Sequence, residues 1–329
     1  MTTVAADELR EVGSLVRDVL AHVPELVRAR ATDRDVLQEC VARVFEVGAV
    51  DAAASDDGGL GLEGAAVVAT EAARIWSSLG WALMPSLLLR AVGDPDPVQR
   101  TGLAARTLGG VPDIDLSGRL AGLLGPVVDG AGADAILVIG SRVLLLPRSA
   151  VVSVMRTDEY EGLRDVTHDI LDVDGTGRML DTAPEDAEAA SWIIAGAVAL
   201  GIGEAAVMSA RDYQRQRVQF GRPIAEFGEM RAMLADGAAR IIAARQAVFG
   251  AAGVGVVGPR ARAGAAGAFL AASGAAVRAT EMAQHSHGGY GHMKEFPVHA
   301  LVRDARMVAA CGGSHIRLDE AVLGGIDQI

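Results

Sequence analysis

The chain has 329 residues, 50% of them hydrophobic but only 4% aromatic, and a formal net charge of −12. That length suits two or three packed modules, and a core short of aromatics has to be built from Ala, Leu and Val, which favours close-packed helices over an aromatic-rich sandwich. The negative charge argues against nucleic acid or an anionic membrane as the main partner, since both would repel it, but leaves room for a local basic pocket that takes a phosphate. The two cysteines, Cys40 and Cys311, are too few for a disulfide framework and fit a reducing compartment. Met1 to Arg10 carries acidic residues and no apolar signal core, so a cytoplasmic protein is expected.

Residues 1–100 read as a helical domain. Leu9, Val12, Leu15, Val16, Val19 and Leu20 recur at helical spacing. Asp56-Asp57-Gly58-Gly59-Leu60-Gly61-Leu62 is a turn signal, and a long apolar helix follows through Val67, Val68, Ala72, Ile75 and Leu79. Pro85 and then Gly93-Asp94-Pro95-Asp96-Pro97 close the module. Residues 101–184 change character. Ala135–Ile139, Val143–Leu146 and Ala150–Val154 are short β-type runs between turn residues, and Asp169–Val173 is a further candidate; together they predict a small, abbreviated, mostly antiparallel β-domain. Asp172-Val173-Asp174-Gly175 is a fragment of a calcium loop without the rest of that pattern, and a plain turn is the simpler reading.

From 185 to 329 the chain is helical again. Pro184-Glu185-Asp186 opens a helix with acidic residues in its first turn. Trp192 to Gly203 is an unbroken apolar or Gly run, too short to span a bilayer and therefore expected to be central and buried. Further helices are predicted over about 226–252, 260–285 and 297–310, completing a C-terminal four-helix bundle. The expected fold is mostly α, in the order helical domain, β-domain, helical bundle.

Three segments carry candidate chemistry. Arg217-Val218-Gln219-Phe220-Gly221-Arg222-Pro223-Ile224 ends a long helix, with Tyr213 and Arg217 four apart on one face and Gly221 and Pro223 breaking it. A fixed Arg, an aromatic ring and a sharp turn at one helix end can grip a pyrophosphate and a flat ring; a basic last turn with a packed Phe is the bland alternative. His285-Ser286-His287-Gly288-Gly289-Tyr290-Gly291 has glycines after a helix, which let a backbone approach a phosphate closely or simply make a turn. Arg303-Asp304 on the helix after Pro297 reads by itself as a structural pair.

The order of these pieces is more specific than any one of them. Tyr213…Arg217-x-x-Phe220-Gly221-Arg222-Pro223-Ile224…Phe227, then Leu234-Ala235-Asp236, His287-Gly288-Gly289-Tyr290-Gly291, Phe296-Pro297-Val298 and Arg303-Asp304-Ala305, resembles the C-terminal bundle of acyl-CoA dehydrogenases. Gly58 to Leu62 looks like that family's N-terminal helix-to-helix turn. Leu116-Ser117-Gly118-Arg119 and Ala133 to Val138 look like strands of its β-domain. The resemblance is strong after about residue 195 and thin between 100 and 185. It implies an α/β/α oxidoreductase of lipid metabolism that assembles into dimers or tetramers. FAD lies at the dimer interface, and a glutamate takes the α-proton of an acyl-CoA while hydride leaves the β-carbon. By the same resemblance Arg217 and Phe220 match FAD contacts, His285 stands where a Gln reaches the flavin of the neighbouring subunit, and Gly288 and Gly289 offer backbone contact there.

The chain also departs from that pattern. The usual positions of the catalytic glutamate hold Cys311 and Ser191, so the catalytic residue is left unassigned. A thiol is a poor substitute for a carboxylate base unless a nearby cation activates it, and His315 is the candidate for that. The Thr-Glu-Pro and Trp-x-Thr/Ser-Asn segments that cradle the isoalloxazine ring have no visible counterpart between Gly102 and Gly125. Such departures resemble the short, degenerate subunit of heterotetrameric bacterial acyl-CoA dehydrogenases of the sterol side-chain type, which implies a homologous partner subunit and a role in steroid catabolism. Three alternatives compete. One is a metal protein drawing on the histidines between His285 and His315; a second is a scaffold of the same fold without flavin. The third is a homo-oligomeric enzyme using Glu204 or Glu295 as base.

Overall fold

A computed structural model describes residues 3–21, 23, 34–54, 59–93, 101–105, 111–158, 160–293, 295–313 and 315–326. Asp56–Gly58 of the expected first turn and Asp94–Pro97 of the expected module boundary lie outside these residues. The N-terminal helices are α1 (Thr3–Val19), α2 (Arg34–Glu46), α3 (Gly61–Ile75) and α4 (Ser77–Ala91). Two glycines fix the entry to α3. Gly61 has φ +56, and a Cβ on Gly59 would sit 2.1 Å from the Ala54 carbonyl oxygen, so a side chain at 59 would force that close approach apart.

The middle of the chain forms β1 (Thr101–Ala105), β2 (Arg119–Val128), β3 (Ala135–Ile139), β4 (Val143–Pro147), β5 (Val151–Asp158), β6 (His168–Thr176) and β7 (Arg178–Met179). They make one sheet in the order β5-β6-β2-β1-β3-β4-β7, antiparallel except for β1 beside β3. Period-2 alternation sorts its two faces. Leu137 and Ile139 of β3 join the helical core, whereas Ile136 and Val138 join a second core with Leu120, Leu124, Leu144 and Leu171. Leu116-Ser117-Gly118, expected as strand, is instead a turn in which Asp115 Oδ1 accepts the Ser117 and Arg119 N–H groups at 2.8 and 2.9 Å. Asp172–Gly175 lies inside β6, an extended ladder rather than an ion-binding loop.

The C-terminal part comprises α5 (Pro184–Gln216), a two-stranded hairpin of β8 (Val218–Gln219) and β9 (Arg222–Pro223), α6 (Gly228–Val254), α7 (Pro259–His287), α8 (Val298–Cys311) and α9 (His315–Ile326). Helix α5 is the axis of the molecule and packs on α3, α4, α6, α7 and α8. It is long and apolar enough to cross a bilayer by length and composition, yet 72% of its most apolar stretch is buried inside the fold. Close packing explains the glycines here: a Cβ on Gly201 would lie 2.3 Å from the Thr70 carbonyl oxygen on α3. The sheet is latched to the bundle by the turn after β5. Leu163, buried with φ +52, donates its N–H to Asp304 Oδ1 on α8 at 2.8 Å, and Ser78 of α4 donates to Asp165 at 3.2 Å.

Candidate nucleotide-binding site at the end of α5

Helix α5 stops at Arg217, whose N–H still bonds the Tyr213 carbonyl at 2.8 Å while its own carbonyl accepts the Ile224 N–H at 2.8 Å. Val218 pairs with Pro223 and Gln219 with Arg222, leaving Phe220-Gly221 as a two-residue loop. Both loop residues have positive φ, +51 and +80. That is the mirror-image turn that matches the twist of a hairpin. Glycine takes it without strain; a bulky Phe does not, and such outliers concentrate at functional positions. Phe220 is 93% exposed, so no burial within this chain offsets the strain.

The hairpin meets the segment after α7 through aromatic contacts. Tyr213 stacks on His287 at 4.1 Å between centroids, and Phe296 stands edge-on to Tyr213 at 6.0 Å and near His287 at 5.7 Å. The exposed Arg217 guanidinium lies 5.6 Å from the Tyr290 ring, and Arg222 lies 4.3 Å from Phe227. Thus two segments 70 positions apart form one surface bearing cations, aromatic faces and an exposed Gly288-Gly289 backbone. His287 is a supporting residue. Its Nδ1 sits 2.7 Å from the Ala283 carbonyl, which only accepts, so Nδ1 carries the proton, and burial pushes the ring below its ordinary pKa. Gly288 has φ +57, which explains glycine there. Gly289 has an ordinary φ, and a Cβ on it would meet nothing within 4 Å, so nothing inside this chain requires glycine at that place.

Arg217, Phe220, Gly288 and Gly289 therefore gather on one exposed surface. His285 is exposed on the last turn of α7, joined to the hairpin by no ring contact or hydrogen bond among the described residues. Sequence reasoning passed over the Tyr213–His287–Phe296 cluster; the signal was Tyr213 one turn before Arg217, and His287 directly before the glycines.

The two positions that the resemblance offers for a base, Ser191 and Cys311, lie elsewhere. Ser191 is 3% exposed and donates to the Glu188 carbonyl at 2.7 Å. The Cys311 thiol is half-buried 3.8 Å from Met307 Sδ, and burial pushes its pKa up. The His315 side chain lies outside the described residues. Glu204, the alternative base, is held by Arg245 on α6 at 2.6 Å, and Glu295 is exposed. Glu188, one turn before Ser191, is 1% exposed and paired with Arg317 on α9 at 2.5 Å, a contact sequence reasoning missed. Among the described residues no group of three or more His, Cys, Asp or Glu is placed to hold a metal ion. Ser191 and Arg217 are 26 residues apart on α5, about 39 Å at 1.5 Å per residue.

Residues 192–318 match the acyl-CoA dehydrogenase C-terminal domain. That match spans most of the C-terminal bundle. Over 130 residues the chain is 44% identical to 3-sulfinopropanoyl-CoA desulfinase of Paraburkholderia xenovorans, covering 40% of this chain and 33% of that one. Over 133 residues it is 44% identical to an acyl-CoA dehydrogenase of Bacillus subtilis, covering 39% of this chain and 35% of that one. The chain thus spans about a third of the length of the curated relatives it matches. The acyl-CoA dehydrogenase fold extends further. Butyryl-CoA dehydrogenase from Megasphaera elsdenii superposes with TM-score 0.76 at 21% identity, over 99% of this chain and 98% of that one. The ChsE4–ChsE5 complex from Mycobacterium tuberculosis gives 0.77 at 23%, over 97% and 96%. The Tcur3481–Tcur3483 steroid ACAD gives 0.78 at 22%, over 98% and 99%.

Proposed function

We propose that this chain is one subunit of a flavin-dependent acyl-CoA dehydrogenase assembly, catalytically incomplete alone, and that it lends the nucleotide end of an FAD site to a homologous partner. The observation that carries this is the length of α5. The surface that suits a pyrophosphate and the Ser191 position are at opposite ends of one helix, about 39 Å apart, so they serve different sites.

The surface fits the nucleotide end of FAD. Arg217 supplies a charge-assisted contact to a pyrophosphate, Phe220 and Tyr290 supply ring faces, His285 adds an exposed imidazole, and Gly288-Gly289 exposes backbone N–H groups. Strand β2 offers the flavin ring less. The exposed residues of β2 are Arg119, Ala121, Gly122 and Leu123, with neither hydroxyl nor aromatic side chain among them. When bound, FAD supplies the two-electron acceptor for α,β-oxidation of an acyl-CoA thioester; this chain binds one end of it. The partner supplies the ring cradle and the carboxylate base, since Ser191 and Cys311 are not carboxylates. The likeness to a steroid ACAD and to a two-component complex supports a heterotetramer acting on a sterol side chain.

The test is Arg217→Ala in the assembly purified with its homologous partner. A lost charge-assisted contact, worth about 1.5–3 kcal/mol, should lower flavin retention on dilution roughly ten-fold or more. Retention equal to the unmodified assembly would remove Arg217 from the site.

A further inference from the structure

Helices α7 and α8 pack side by side in opposite directions. Glu281 of α7 meets Arg306 of α8, and nearer the start of α7 the Phe269 ring lies 2.4 Å from where a Cβ on Gly312 would be. Along the outside of this seam runs a furrow of about 620 Å³, within the roughly 300–1,000 Å³ of small-molecule sites. Its floor is apolar. Phe269 is fully buried beneath it, Leu270 and Val277 stand along it, and Gly274, Ala309 and Ala310 are too small to fill it. A Cβ on Gly274 would meet nothing within 4 Å, so the space above that residue is open. Ser273, the one hydroxyl in the furrow, is buried and donates to the Leu270 carbonyl at 3.4 Å.

One end of the furrow is charged and accessible. Glu281 takes Arg306 Nη2 at 2.9 Å and Arg278 Nη1 at 3.6 Å. A guanidinium carries five N–H donors, so a single carboxylate shared by two of them leaves most donors to solvent. The Arg278 side chain is 73% exposed and that of Arg306 62%. Two cations around one carboxylate leave a local positive charge, in a chain whose net charge is −12. A second carboxylate matches that charge and the planar fork of an Arg; a cationic head is repelled, and a neutral one leaves the charge unmatched. We propose that this furrow is a binding site for a medium-chain fatty acid. Its carboxylate lies between Arg278 and Arg306, and its tail runs along Val277, Gly274 and Leu270 toward Phe269. Phe269 to Val277 is eight residues, about 12 Å of apolar floor, which sets the length of tail that can be covered. Arg278 stands nine residues before His287, about 14 Å along α7, so the site is separate from the nucleotide surface and does not rest on the flavin reading.

The experiment is isothermal titration of the full chain with decanoate at pH 8, below the concentration at which decanoate forms micelles. Decylamine serves as the cationic analogue with the same tail, and butyrate as the short analogue with the same head. The expected result is saturable binding of one decanoate per chain, with decylamine and butyrate each at least roughly ten-fold weaker. Gly274→Leu should weaken decanoate at least roughly ten-fold: its side chain enters the open space of the furrow and leaves the fold intact, which an unchanged thermal transition checks. Arg306→Gln, at an exposed position, is the second variant and should weaken decanoate while leaving decylamine as it was or tighter. The absence of saturable decanoate binding overturns the proposal and leaves the furrow to another chain. Decylamine binding as tightly as decanoate, or decanoate binding unaffected by both substitutions, overturns it equally.

Discussion

Asp304 shows how a residue that reads as half of a structural pair is a joint between domains. Its carboxyl receives the Leu163 N–H, and burial above all pushes its pKa from 3.8 up to about 6, against the opposing pull of that N–H, Ser77 and Arg303. An acid whose folded pKa lies above its unfolded value contributes stability that is complete below about 3.8 and lost as pH rises through about 6. Asp304→Asn keeps an acceptor for Leu163 without the charge. It should match the unmodified chain near pH 3.5 and exceed it by about 1–2 kcal/mol near pH 8, the part of the pKa shift that survives its partial solvent contact. Urea unfolding at the two pH values checks this, and a variant less stable at pH 8 would contradict it. Cys311 is the second residue-scale case. Burial pushes its thiol up, away from the reactive thiolate. Cys311→Ser should therefore leave acyl-CoA-dependent dye reduction by the assembly within a few-fold; a loss of several orders of magnitude in a folded variant would make Cys311 catalytic.

At the scale of elements, the glycines of the long helices divide into two kinds. Gly201 on α5 faces the Thr70 carbonyl, where a methyl would sit 2.3 Å away, whereas a Cβ on Gly264 of α7 would meet nothing within 4 Å. Gly201→Ala should cost about 1–3 kcal/mol by overpacking, while Gly264→Ala should be neutral or stabilising by up to about 1 kcal/mol through helix propensity. Thermal unfolding of the two variants separates the cases; equal effects would refute the packing at Gly201. The same contrast explains what the sequence disclosed. The apolar run Trp192–Gly203 announced a central helix because every face of it is buried, and α6, α7 and α8 lie within two residues of the expected bounds. Strands β1 and β2 went unread because Gly102, Gly122, Gly125 and Pro126 break the alternation that marks a strand, although Leu103 and Leu124 are fully buried. The hairpin was read only as a helix-breaking turn, since nothing local announces that Phe220 will adopt positive φ. The Glu188–Arg317 pair spans 129 positions, a distance over which sequence spacing carries no information.

At the scale of the whole molecule, the fold superposes on acyl-CoA dehydrogenase chains over nearly all of its length, whereas the proposed function divides the chemistry between chains. Helix α5 separates the Arg217 surface from Ser191 by about 39 Å, and neither Ser191 nor Cys311 is a carboxylate. The exposed stretch of β2 bears neither a hydroxyl nor an aromatic side chain. On the reading proposed above, the chain completes its neighbour's site and leaves its own without a base, so flavin and turnover should belong to the assembly rather than to the chain. The direct measurement is flavin per polypeptide, with acyl-CoA-dependent reduction of an artificial acceptor, for the chain expressed alone and for the chain expressed with its homologous partner. The account predicts little flavin and no turnover for the lone chain, and turnover with less than one flavin per polypeptide in the assembly. One flavin per polypeptide and full turnover from the lone chain would contradict it.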